Sequence, residues 1–388
     1  MTDKAELPLS YSLYLDILRF AAALAVYLSH IAVFPFVEPV ARGAARSPLA
    51  LYGTPAVTVF FVLSGYVIAY VVATRERDAR TFAISRISRL YSVVIPALAV
   101  TLLLDRWGAS IDPVLYARGF VAAEPVTTTG YVASFFLLNE FQAFGFHGIM
   151  PGSNGPWWSL SFEAAYYLLA GVAVFARRWV AVIAGLIIFA IVGRTIVALL
   201  PLWALGYFLF RWRETLVRAL PLPQLCWILS TGAFLAIPWL LRSSPDMNFG
   251  VHFPWGLREL NRNLAQDYAL ALAVAVHLVA ADKLLAGVTW SPSRSIPVIR
   301  FLGATTFPLY AMHRPAMIFL LAVSPWPAAS VESIAFVTVA IAVGVAFATP
   351  LCDGLKVVLR DRLARAWPPR SVAVGAPAGT QAQPSPPP

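Results

Sequence analysis

Charge is scarce in this chain. Of its 388 residues only 12% are Asp, Glu, Lys or Arg, while 59% are hydrophobic. An ordinary soluble domain is about a quarter charged, so a water-covered globular surface is excluded for most of the length. Cysteine is scarcer still. Cys226 and Cys352 stand alone in apolar stretches, which argues against a disulfide framework and against a thiolate metal cluster. The five histidines have no metal-ligand spacing, and no metal site is assigned. Acidic residues are fewer than basic ones, giving a net charge of +10. In a soluble protein that excess would suggest nucleic acid. Here membrane-flanking loops explain it better, and no nucleic-acid partner is expected. The first apolar run is too long for a signal peptide, and no small-residue cleavage site follows it.

What the chain does have is long apolar runs. Ten spans are read at 12–36, 54–74, 90–105, 157–176, 179–193, 195–211, 224–242, 267–286, 300–323 and 331–352. The runs are continuous rather than alternating, so they predict an all-α polytopic membrane bundle of about ten helices rather than a barrel. Arginine clusters such as Arg75, Arg77 and Arg80, and Arg360, Arg362 and Arg365, fall on the side of the N-terminus. By the positive-inside rule both termini are then cytoplasmic, in a plasma (inner) membrane. The membrane domain is read over 1–365. The Pro/Ala-rich stretch 366–388 is read as a disordered cytoplasmic tail. The outside segment 106–156 is long for a connector and is a candidate lid or acceptor-recognition segment. Within it, 130–138 is apolar but too short to span.

Ionisable residues inside apolar spans are costly and mark pathways or reacting groups. The first span holds Asp16, Arg19 and His30. Arg19 and His30 are eleven residues apart, so they share a helical face about 16 Å apart along the axis. The plainer alternative is an Asp16–Arg19 ion pair and a satisfied histidine. Arg86 and Arg89, one turn apart, can converge on a phosphate. They also fit an ordinary cytoplasmic charge cluster. Glu163 lies inside the fourth span at a depth similar to His30, where it either orients an imidazole or anchors backbone. The ninth span places Tyr310 and His313 on one face, with Pro315 free to kink it. Ser64 and Gly65 in the second span suit close helix packing.

Together these segments resemble the acyltransferase 3 family of membrane proteins. The segments are Tyr14 through His30, Phe60 through Tyr66, Arg86 through Arg89, Pro156 through Glu163, and Phe307 through Pro315. The resemblance implies cytoplasmic acyl-CoA, in particular acetyl-CoA, as donor substrate, with no permanently bound cofactor. It implies a hydroxyl acceptor such as a glycan or other cell-envelope or small molecule. It makes His30 the catalytic histidine, Arg19 its paired arginine, Arg86 and Arg89 the donor-binding pair, and Glu163 the motif glutamate. Two positions depart from the pattern. Ala164 stands where a second acidic residue is frequent, and Arg314 where tryptophan is frequent. The resemblance leaves open whether His30 acts as general base or carries the acyl group itself. The competing expectation is a transporter or flippase, with Asp16, Arg19, Glu163 and His313 forming a charged pathway.

Overall fold

The computed structural model describes residues 6–33, 48–117, 127–146, 148–241, 264–288 and 294–368. Of the tail expected at 366–388, Ala366 belongs to a helix and residues 369–388 lie outside those described. Among the described residues the chain is helical, without strands. Thirteen helices follow in order: α1 (Leu9–Ile31), α2 (Gly53–Thr74), α3 (Ala79–Ile111), α4 (Pro113–Ala117), α5 (Thr128–Phe135), α6 (Trp158–Phe175), α7 (Arg178–Val192), α8 (Arg194–Arg211), α9 (Arg213–Ala219), α10 (Pro223–Leu240), α11 (Leu264–Leu285), α12 (Ser295–Val323) and α13 (Val331–Ala366). Nine of the described segments are long and apolar enough to cross a membrane, and the chain is an integral membrane protein. The span expected at 179–193 is α7. It has only 15 residues, about 22 Å of helix against a hydrocarbon core of about 30 Å. Gly193, at φ +84°, ends it and separates it from α8.

Several helices outrun their apolar stretches. The third span was expected to begin near residue 90, but α3 begins at Ala79. Asp78 is its N-cap: the carboxylate accepts from the Thr81 amide at 2.8 Å and from the Thr81 hydroxyl at 2.6 Å. Those bonds hold the Asp78 carboxyl below its ordinary range. The consequence is functional, because Arg86 and Arg89 sit on a helix rather than in a loop. At the other end α13 runs 36 residues. Arg80 donates to the Ala364 and Trp367 carbonyls, so the start of α3 caps the end of α13.

The bundle is organised around α12, the most enclosed span, which packs against α1, α3 and α13. On its other side α1 packs against α2, and α2 against α8. The α2–α8 contact is a close approach of two backbones. A Cβ on Gly65 would lie 1.9 Å from the Trp203 carbonyl oxygen, and one on Gly206 would lie 1.9 Å from the Val62 carbonyl oxygen. Two glycines facing opposite backbones is the packing that Ser64 and Gly65 suggested.

Candidate functional site

A cavity of about 370 Å³ opens between α1, α2, α3, α6, α12 and α13. One end is charged. Arg19, Arg86, Arg89, Arg300 and Lys356 face it from four helices, against the carboxylates Asp16, Glu163 and Asp353. The excess of cations suits an anionic ligand. The walls then become mainly apolar and aromatic, and run to Val57, Phe60, Ser159 and Tyr310 at the far end.

The charged end is wired internally. Asp16 is ion-paired with Arg300 of α12, so the plainer alternative of an Asp16–Arg19 pair gives way to a pair between helices. Arg300 also donates to Ser12 at 3.0 Å. Gly303 allows that approach, since a Cβ there would lie 2.8 Å from the Asp16 side chain. Arg86 is buried and ion-paired with Glu76, its guanidinium stacked over Phe82 and Tyr167. Arg89 is less buried and feels the charges of Glu163 and Asp353. The two arginines therefore line one cavity, each beside carboxylates: Arg86 is bonded to Glu76, and Arg89 faces Glu163 and Asp353. Glu163 accepts from Tyr167 one turn on. Lys356 is bonded to Asp353 at 2.8 Å.

The histidines meet elsewhere. His30 and His313 lie nearly parallel, ring centroids 5.0 Å apart, with Nδ1 of His30 2.7 Å from Nε2 of His313. Protons can be assigned from the neighbours. Nδ1 of His313 is 2.9 Å from both the Leu309 and Tyr310 carbonyl oxygens, which only accept, so that nitrogen carries the hydrogen. With His313 neutral, its Nε2 accepts from Nδ1–H of His30. The lone pair of His30 is then on Nε2, the form a general base requires. His313 is fully buried and His30 partly so. Sequence spacing brought Tyr310 and His313 to one face, and the structure places that face against His30. It does not bring Glu163 to His30: the imidazole is oriented by His313, and Glu163 stays with Tyr167 at the charged end. Tyr310 is also fixed. Ser159 donates to its oxygen at 2.7 Å, and the Tyr310 hydroxyl is 3.2 Å from the Pro156 carbonyl.

The segment before α6 is bonded into the bundle. Asp105 of α3 accepts from the Ser153 amide at 2.7 Å and from the Ser153 hydroxyl at 2.6 Å. Asn154 donates to Thr101 at 3.1 Å and to the Ala311 carbonyl at 2.8 Å. Arg314 feels the Asp105 charge and packs against Gly155. The end of the candidate lid, residues 153–155, is thus a strap held between α3 and α12. Asp105→Ala removes both bonds to Ser153 and is expected to lower stability by about 2–3 kcal/mol, read as unfolding in detergent. Asp105 was missed in the sequence, although the rule that selected Glu163 applies equally to a carboxylate inside Leu102–Arg106. Arg300, Lys356 and Glu76 were also missed, because each reads as an ordinary membrane-edge charge. His277 bonds to Tyr14, Ser230 and Thr231 away from the cavity, and His147 and His252 lie outside the described residues.

A family model described as an acyltransferase domain matches residues 12–353. Among curated proteins, the acyltransferase MdmB of Streptomyces mycarofaciens is 35% identical over 157 residues, covering 39% of this chain and 36% of that protein. Nodulation protein 10 of Rhizobium leguminosarum bv. viciae is 27% identical over 169 residues, covering 42% of this chain and 45% of that protein. The chain therefore spans less than half the length of each of these relatives. No solved structure matches.

Proposed function

The chain belongs to the acyltransferase 3 family, and from that premise we propose that it moves a short acyl group, acetyl foremost, from acyl-CoA to a hydroxyl of a carbohydrate or other acceptor. One observation carries the reading. A single cavity runs from a cation-rich end to within one helical turn of the His30–His313 pair.

In this reading Arg89, Arg300 and Lys356 hold the donor phosphates, and Arg86, braced by Glu76, shapes their seat. Arg19 lies about 16 Å from His30 along α1, so it acts on the donor rather than on the reacting carbonyl. Glu163 and Tyr167 position Arg89. The pantetheine arm follows the apolar walls toward Tyr310. Nε2 of His30 takes the proton of the acceptor hydroxyl. The oxygen attacks the thioester carbonyl, the C–S bond breaks, and the proton passes from His30 to the departing thiolate. The direct route needs only that one basic nitrogen, which the His313 hydrogen bond supplies. The charged end, shared by the N-terminal half of α1 and the C-terminal half of α13, then faces the cytoplasmic pool of donor, with both termini on that side of a plasma membrane.

The test is ligand-dependent stability of the purified full chain. Acetyl-CoA and CoA should each raise its unfolding temperature, by an amount equivalent to about 2.7 kcal/mol at a hundredfold excess over Kd. Arg89→Ala should weaken this at least about tenfold, since a charge-assisted bond is lost. Arg89 is a cleaner target than Arg86, whose removal strands buried Glu76. Folded protein that gains nothing from either ligand would remove the donor assignment and favour the transporter reading.

A further inference from the structure

We propose that Phe60, set against the fixed ring of Tyr310, is an acyl-size filter between the donor cavity and the histidine pair. The proposal rests on the donor reading above and adds to it a limit on the acyl group.

Both side chains end the cavity. Their rings meet edge to face with centroids 5.8 Å apart. Beyond Tyr310, one turn along α12, lies the ring of His313, 6.3 Å from it, and His30 lies against His313. Phe60 packs against two separate apolar clusters. One surrounds the cavity; the other contains Tyr27, Leu309 and Met317 beside the histidines. It is therefore the side chain at which the cavity's apolar lining passes into the packing around the reacting site. Tyr310 is tied by oxygen to Ser159 and Pro156 and cannot swing without breaking those bonds. Phe60 is held by packing alone, so it sets the gap.

A thioester delivered from the charged end must place its carbonyl near His30, with its acyl carbons beside Phe60. Two carbons pass the ring edge. A longer chain needs the volume the ring occupies, and close-packed surroundings do not give way at low cost. Pocket discrimination of this kind is worth about 10- to 200-fold per methylene.

The experiment compares CoA, acetyl-CoA, butyryl-CoA and hexanoyl-CoA as stabilisers of the full chain, in the parent and in Phe60→Ala and Phe60→Leu. The parent should bind acetyl-CoA at least about tenfold tighter than hexanoyl-CoA. Phe60→Ala should bring that ratio close to one, with Phe60→Leu between; CoA, which has no acyl group, reports any loss of pantetheine contact separately, and such a loss is shared by both acyl donors and cancels in the ratio. Phe60→Leu keeps an apolar side chain and guards against loss of folding in Phe60→Ala. An unchanged acetyl-to-hexanoyl ratio in the folded variants, or no preference in the parent, overturns the filter. Failure of the parent to bind CoA is a different result: it overturns the donor reading, and the filter with it.

Discussion

His30→Ala is expected to lower acyl transfer by about 10²–10⁴-fold while leaving acetyl-CoA binding unchanged. The two functions separate because the charged end and His30 are apart along α1 and because His30 is not among the cavity walls. His313 should act through His30. Its Nε2 accepts the His30 Nδ1 proton, and its own Nδ1 is committed to two backbone carbonyls. His313→Ala removes the acceptor and lets the His30 imidazole rotate or change tautomer. His313→Gln retains an oxygen that can accept, and should recover part of the rate. A split in kcat with an unaltered KM for the donor, and a changed pH–rate profile in His313→Ala, would distinguish positioning from packing. In the parent the rate should fall toward acid pH, as the basic nitrogen becomes protonated. Retention of full activity by His30→Ala would remove it from the chemistry.

The second large effect is on folding. Gly65→Val and Gly206→Val should each destabilise the bundle by about 3 kcal/mol or more, since no rotamer removes a Cβ from the opposing carbonyl. The α2 and α8 backbones would have to part, and α2 carries Phe60 and lines the cavity from Val57 to Ile68. Donor binding should fall together with stability. The double variant should cost less than the sum, because separating the helices once relieves both contacts. Monodisperse protein with parental unfolding temperature from either variant would show that the close α2–α8 approach is not needed.

Much of the architecture was legible in the sequence because lipid imposes a simple pattern: apolar runs of sufficient length are helices. What escaped was where helices continue outside that pattern. The arginine- and serine-containing stretch 79–89 carries α3 beyond its apolar run, and the Asp78–Thr81 cap, though visible in sequence, was not used. The span expected at 179–193 is present as α7, shorter than the other apolar helices because Gly193 ends it. In the site, i to i+3 spacing paired Tyr310 with His313 correctly. Meetings across the chain were not legible. His30 and His313 are 283 positions apart, and Asp16 and Arg300 are 284. Spacing along one helix offered Asp16–Arg19 as the plainer alternative, while packing of α1 on α12 pairs Asp16 with Arg300. Similar depth left a Glu163–His30 contact open beside a structural anchor, because depth does not fix which helices are neighbours.

The most direct measurement is a structure of the full chain with a non-hydrolysable thioether analogue of acetyl-CoA. Phosphate density is expected beside Arg89, Arg300 and Lys356, with an extended arm along α2 and the carbonyl mimic beside Tyr310, pointing toward His30. Density in the separate cavity of about 420 Å³ lined by Tyr207, Arg211 and Trp212, with the first cavity unchanged, would contradict that arrangement.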